Sequence, residues 1–250
     1  MSGQSLVTLL TEFSETYSPV DFMLASQHAG LFLLGLRNTL FLLAGPLALA
    51  CAFAIPLAIA RANRVPVLNP LIFAYTYLFR GTPLLVQLYL LYYGAAQFSL
   101  VRDTFLWTIL REAWWCAFIS FTLCSTAYIT EILRGAIETV PKGEIEAAKA
   151  CGMSPLISMR RIILPNAMRR ALPAFSNEVI FTLHATVIAS TVTIIDILGA
   201  ARLFNNKYYL AFDGFIIAAL LYMALVYAIN RGFKFWESKW HRHLPHERTT

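Results

Sequence analysis

A chain of 250 residues, 58% of them hydrophobic and 14% charged, with a mean hydropathy of +0.61, is not a soluble globular domain. This composition predicts apolar stretches of about twenty residues that cross a bilayer as helices, because lipid offers no partner to exposed backbone N–H and C=O groups. The net charge of +6 is gathered in loops on one side of those stretches, so it does not call for nucleic acid as a partner.

Residues 1–30 carry Glu12, Glu15 and Asp21 but no Lys or Arg, and are read as an extracytoplasmic segment. They do not read as a cleaved signal peptide, since a basic n-region is missing and the following apolar run is too long. A transmembrane domain is predicted over 31–232. Its first span is 31–60, with kinks expected at Pro46 and Pro56. The second, 68–98, is broken near Gly81-Thr82-Pro83, and if it divides there the chain crosses six times instead of five. The third is 113–133, the fourth 173–195 and the fifth 211–232. A long loop of about 134–172 separates the third and fourth. The basic tail, 233–250, holds Trp236 and Trp240 as interfacial anchors. The predicted fold class is an all-α integral membrane protein of five helices, or six.

Basic residues set the orientation. Arg61 and Arg64 occupy the first loop. Arg134, Lys142, Lys149, Arg160, Arg161, Arg169 and Arg170 occupy the long loop, and Arg231, Lys234, Lys239, Arg242 and Arg248 lie at the C-terminal end. The opposite side has Arg102 and Arg111, balanced by Asp103 and Glu112, and then Arg202 and Lys207. The positive-inside rule places the N-terminus outside and the long loop and tail in the cytoplasm.

The chain has no G-x4-G-K-[ST] phosphate cradle, no H-E-x-x-H and no Cys/His cluster at ligand spacing. His241, His243 and His246 lie in a charged tail and read as solvated. Cys51, Cys116, Cys124 and Cys151 read as buried apolar thiols. No cofactor, metal or catalysed covalent step is expected, and any ATP that drives the protein is hydrolysed by another polypeptide.

The long loop holds EAAKACGMSPLISMRRIILP. Pro141 can open a helix, Glu144 and Glu146 favour its N-terminal end, and Ala147, Ala148 and Ala150 are strong helix formers. Gly152 suits a left-handed C-cap. Ser154-Pro155 reads as the N-cap and first position of a second short helix, which Pro165 is expected to end. Two short helices around a Gly turn make a rigid knob.

The offsets of Glu146-Ala147-Ala148, Gly152, Ile162 and Leu164-Pro165 resemble the EAA signature loop of ABC importer permeases. That resemblance implies a type I importer permease fold in a bacterial inner membrane, with the loop gripping a cytoplasmic ATPase. The implied partners are two copies of that ATPase, a homologous second permease and a periplasmic or tethered solute-binding protein. Alternating access is the implied cycle. The string FRGTPLLVQ resembles a segment of polar amino-acid permeases. PKGEIEAA together with NEVIFTLHAT is similar to the M-type permeases of histidine/lysine/arginine/ornithine systems and to opine permeases.

Ionisable groups inside spans are candidate functional residues. Arg80 sits beside the Gly-Thr-Pro break, where it could seat a substrate carboxylate or pin the kink. Glu178, Thr182 and Ala185-Thr186 share a helix face, so Glu178 could meet a substrate cation or make an interhelical hydrogen bond. His184-Ala185 stands where related permeases often have Lys-Asp, and His184 reads as a packed or neutral histidine rather than a ligand. Glu131 could enter the cavity with Tyr128 or pair with Arg134. Asp196 and Asp213 fall at outer span ends and read as interfacial. A secondary transporter should show inverted repeats, and none is visible. A membrane assembly protein would have no use for Arg80 and Glu178.

Overall fold

The structure is a computed structural model that describes residues 27–210 and 212–240. Most of the predicted N-terminal segment lies outside the described residues, as do His241, His243 and His246. Helix α1 runs Ala29–Ala62, α2 Leu68–Gly81 and α3 Leu84–Tyr89. After α3 the chain continues through a π turn at Leu90–Gly94 and a 3-10 turn at Ala95–Gln97. Short helices α4 (Ser99–Arg102) and α5 (Leu106–Leu110) lead into α6 (Ala113–Glu138). Next come α7 (Lys142–Ala150), α8 (Pro155–Ser158), a π turn at Met159–Ile163 and α9 (Leu164–Ala185). A 3-10 stretch, Thr186–Val192, then leads to α10 (Ile197–Tyr208) and α11 (Asp213–Trp240). No strand occurs among the described residues.

Among the described residues, four segments are long and apolar enough to cross a membrane: α1, α6, Pro155–Val192 and α11. The second predicted span is the α2–α3 pair, divided at the expected place. Thr82 and Pro83 are extended, and Pro83 has no N–H with which to continue α2. With 14 residues, α2 rises about 21 Å and is too short to cross the hydrocarbon alone.

Three points bear on the expectations. First, α1 runs as one helix through Pro46 and Pro56, the positions where kinks are expected. Second, Pro165 does not end the second short helix: α8 passes through the wide π turn into α9, where Pro165 occupies the first turn and its missing N–H is one the helix would leave unbonded anyway. The fourth span therefore starts well before Pro173, which lies inside α9. Third, α10 was not anticipated.

The packing of α1 against α6 forms the centre of the fold. Ala50, Ala54 and Ala58 are fully buried at every fourth position, a small-residue stripe that lets two membrane helices approach closely. They join Leu133, Ala136, Ala167 and Leu183 in a core at the α7 end. At the opposite end, Phe32, Ile197, Phe204 and Ala218 pack α10 against α1 and α11.

The chain reversal before α10 is held by buried polar groups. Asn38 donates to the Ile195 carbonyl at 2.8 Å, and the Ile197 N–H donates to the Thr39 hydroxyl at 3.2 Å. Asp196 caps α10 by accepting from the Gly199 N–H at 2.8 Å and also accepts from the Tyr222 hydroxyl at 3.2 Å. A Cβ at Gly35 would lie 2.7 Å from the Asp196 carbonyl oxygen, so α1 needs glycine there. Asp196 is fully buried and Asp213 nearly so, which corrects the interfacial reading of both.

Asp196→Ala removes the cap and leaves the Tyr222 hydroxyl with one acceptor fewer. It should lower the stability of the purified protein by about 2 kcal/mol, read as a lower Tm. An unchanged melt would show that α10 is held by its apolar face alone.

Candidate functional site

The first site is the knob. Pro141 is the N-cap residue of α7, and Glu144 lies in the first turn. At the other end, Gly152 has φ +72°. Its N–H donates to the Lys149 carbonyl at 2.9 Å, and the Met153 N–H reaches the Ala148 carbonyl at 3.1 Å. This is a Schellman closure, which a side chain at position 152 would strain. The Ser154 hydroxyl accepts from the Ile157 N–H, and Pro155 opens α8, as the sequence predicted. Glu146, Ala147 and Gly152 are exposed, while Ala148 is buried. Ile162 and Leu164 are half-buried, and Pro165 is exposed. Leu156 and Ile157 project from the knob with 78% and 45% exposure, an apolar pair that spacing alone did not single out. Cys151 is exposed, against the buried expectation, because it is the C-cap residue of α7 on the knob's surface.

The second site lies around the break between α2 and α3. The Arg80 guanidinium stands 5.2 Å from the centre of the Tyr128 ring, and the Tyr128 hydroxyl donates to the Arg80 carbonyl at 3.4 Å. The Gln87 amide donates to the carbonyls of Phe79 and Thr82 at 2.8 and 3.0 Å, and Thr82 donates to the Leu78 carbonyl at 2.9 Å. The last residue of FRGTPLLVQ thus seals the carbonyls that the proline break frees. A cleft of 470 Å³ adjoins the break, lined by Arg80 and Thr82 at one end and by Thr76 and Glu131 at the other.

Glu131 is paired by the protein itself. One carboxylate oxygen accepts from Arg61 at 3.1 Å and from Thr76 at 3.1 Å, and the other accepts from Arg134 at 2.7 Å. Arg61 also binds Asn69 and lies over the Phe73 ring at 4.9 Å. Arg134 reaches Glu138 at 2.7 Å. The pairing with Arg134 follows from the sequence, but the arm to Arg61 and Thr76 does not. That arm matters because Ile72 and Thr76 are the buried residues of α2. Little apolar area holds α2, so the polar junction positions it.

Glu178 differs. It is buried with 7% exposure, it accepts from Thr182 at 3.5 Å, and Thr182 contacts Ser125 of α6 at 3.2 Å. No cation among the described residues lies within ion-pair reach, although Arg80 attracts it over a longer range. The predicted stripe exists, with Thr186 also buried, but it faces α6 inside the chain. Asn177, Phe181 and His184 occupy the exposed face of α9, so His184 is not packed.

The described residues thus combine helices long and apolar enough to cross a membrane with an exposed helical knob. Residues 52–241 match the family described as the binding-protein-dependent transport system inner membrane component, and the chain belongs to it. The octopine transport system permease protein OccM of Rhizobium radiobacter is 44% identical over 190 residues, covering 76% of this chain and 78% of that protein. The histidine/lysine/arginine/ornithine transport system permease protein HisM of Salmonella typhimurium (strain LT2) is 42% identical over 211 residues, covering 84% and 90%. Among solved structures, an amino acid ABC transporter with histidines has a TM-score of 0.78 at 28% identity, covering 89% of this chain and all of that one. The MetNI methionine ABC transporter, at 18% identity and a TM-score of 0.71, covers 84% of this chain and 95% of its own and shares the fold. The protein is a permease subunit of an ABC importer with the type I fold, and is not itself an enzyme. The family implies a partner ATPase and a substrate-binding protein.

Glu131→Ala would strip Arg61 and Arg134 of their shared counter-ion in a half-buried setting. A loss on the order of 3 kcal/mol is expected, seen as a lower Tm, with Glu131→Gln intermediate because its amide oxygen still accepts. A wild-type melt for the alanine variant would remove the junction from the account of how α2 is held.

Proposed function

We propose that this subunit imports polar amino acids with cationic side chains, such as arginine, lysine, ornithine or histidine, across the inner membrane. The observation that carries the reading is Glu178: a buried carboxylate without a cation partner, on the helix that continues directly from the knob. Desolvated carboxylates are costly, and a substrate ammonium or guanidinium would offset that cost in a charge-assisted contact. Arg80 is assigned to the α-carboxylate, Thr182 to orienting Glu178, and Glu131 to positioning α2. Because the Glu178 stripe faces α6, access to it requires α6 and α9 to part during alternating access.

One relative belongs to a histidine/lysine/arginine/ornithine system, which supports this reading. An opine is the second reading, favoured by the identity with OccM. The working assembly is read as this chain, a homologous second permease, two ATPase copies and a binding protein. Glu146, Ala147, Ala148, Gly152, Ile162, Leu164 and Pro165 form the ATPase-coupling loop, with Leu156 and Ile157 on its apolar face. Residues 31–232 form the transmembrane domain, with the segment 1–30 outside and the loop and 233–250 in the cytoplasm.

Native Cys151 is a ready probe of this orientation. In cells lacking the ATPase, an impermeant thiol reagent should modify Cys151 after permeabilisation and an Asn206→Cys probe before it. Labelling of Cys151 in intact cells would reverse the topology and remove the docking role.

Glu178→Gln keeps size and hydrogen bonding but loses the charge. It should weaken uptake of arginine or lysine by about 2 kcal/mol, the range for a hydrogen bond to a charged group, and spare a neutral amino acid if one is carried. Arg80→Lys should weaken all substrates alike, since the α-carboxylate is common to them. Equal losses for cationic and neutral substrates in the Glu178 variant, with assembly intact, would make Glu178 a packing residue.

A further inference from the structure

We propose that Glu144, Asn166 and Arg170 form a polar strut that makes the ATPase-facing helix α7 and the span α9 move as one body, with Asn166 as its positioning residue. This rests on the permease reading above. The Asn166 amide N–H donates to the Glu144 carboxylate, across 22 residues of sequence, and the Arg170 Nε donates to the Asn166 amide oxygen at 2.8 Å. An amide can do both at once, donating to an anion through its nitrogen and accepting from a cation through its oxygen. Both bonds are therefore charge-assisted, the stronger kind.

The covalent route between the same two helices is poorly suited to transmitting force. Leaving α7, the chain turns at Gly152, passes the short α8, and crosses the π turn Met159–Ile163 before α9 begins at Leu164. A π turn and a proline both interrupt the regular hydrogen-bond ladder. The strut bypasses the Gly turn and the π turn. Apolar contacts accompany it: Ile145 of α7 packs against the cluster containing Ile163 and Ala167. From Asn166, α9 rises about 18 Å to Glu178. A displacement of α7 thus reaches the candidate substrate carboxylate through one strut and one helix. Rigid elements joined by specific contacts are what energetic coupling between distant sites can travel through.

The test uses the complete transporter in vesicles and reads substrate imported per ATP hydrolysed. Asn166→Asp sets a second carboxylate against Glu144, and Asn166→Ala removes the bridge without adding charge. Each should lower the ratio by about fivefold or more, the lower range of coupling between sites, while the ATPase still co-purifies. The double variant Glu144→Gln with Asn166→Asp rebuilds the bridge with its donor reversed, because the Gln amide donates to Asp, which still accepts from Arg170. It should return the ratio toward the wild-type value, a rescue that a purely structural role for Asn166 would not give. If Asn166→Asp is not recovered as a complex, Asn166→Ala and the double variant decide by the same ratio. A wild-type ratio in Asn166→Ala, or a double variant no better than Asn166→Asp, would overturn the strut. Failure of the unaltered chain to bind an ATPase would instead sink the permease reading.

Discussion

Hydrocarbon offers no hydrogen bonds, and the architecture follows from how this chain meets that constraint. Long helices satisfy their own backbone, so the consequential places are those where a helix stops at membrane depth. At the α2–α3 break, Gln87 and Thr82 bond the freed carbonyls of Phe79, Thr82 and Leu78. At the reversal before α10, Asn38 of α1 donates to the Ile195 carbonyl and Thr39 accepts from the Ile197 N–H. In both places a side chain several residues or a whole domain away replaces a ladder bond. Irregular backbone is tolerated where it is covered by protein or lines a cavity, and the first break adjoins the Arg80 cleft.

Glu131 and Glu178 show how two carboxylates on neighbouring helices acquire different jobs. Glu131 receives bonds from Arg61, Arg134 and Thr76, so its charge is already met by two guanidinium groups. Its removal would leave the arginines uncompensated, so it is a junction between α1, α2 and α6. Glu178 has hydroxyl neighbours and a distant guanidinium, so its desolvation is only partly offset. A group left in that condition is poorly explained by packing. An apolar residue of similar volume would hold α6 and α9 together without the cost, which is the ground on which Glu178 is proposed to meet a substrate cation.

What could be read from the sequence was local. The division at Gly81-Thr82-Pro83 depends on the proline's missing N–H, and the knob depends on a left-handed glycine and a serine cap within a few residues of the helices they terminate. Arg134 beside Glu131 was visible for the same reason. The Arg61 arm, 70 residues away, and the Asn38 bond across 157 were not, because helix periodicity carries no information about which helices become neighbours. Asp196 was misplaced at an interface because its position at a span end gave no sign of Tyr222. Pro165 was read as a stop because a proline interior to an α-helix breaks its ladder. The π turn before it moved the start of α9 to Leu164, where the same proline belongs to a first turn.

Arg80 carries the argument from the single chain to the assembly. Its side chain is exposed at the end of α2, beside the break and within reach of the Tyr128 ring. On α9, Asn177 and His184 are likewise exposed. A guanidinium at membrane depth is costly against lipid, and such groups face protein or water instead. The surface bearing Arg80 is therefore unsuited to the bilayer, whereas the exposed Leu71, Phe41 and Leu49 suit it well. The proposed pairing with a second permease fits this surface: a partner of similar construction, with water or substrate between the two, would cover it and give Arg80 an anion to hold.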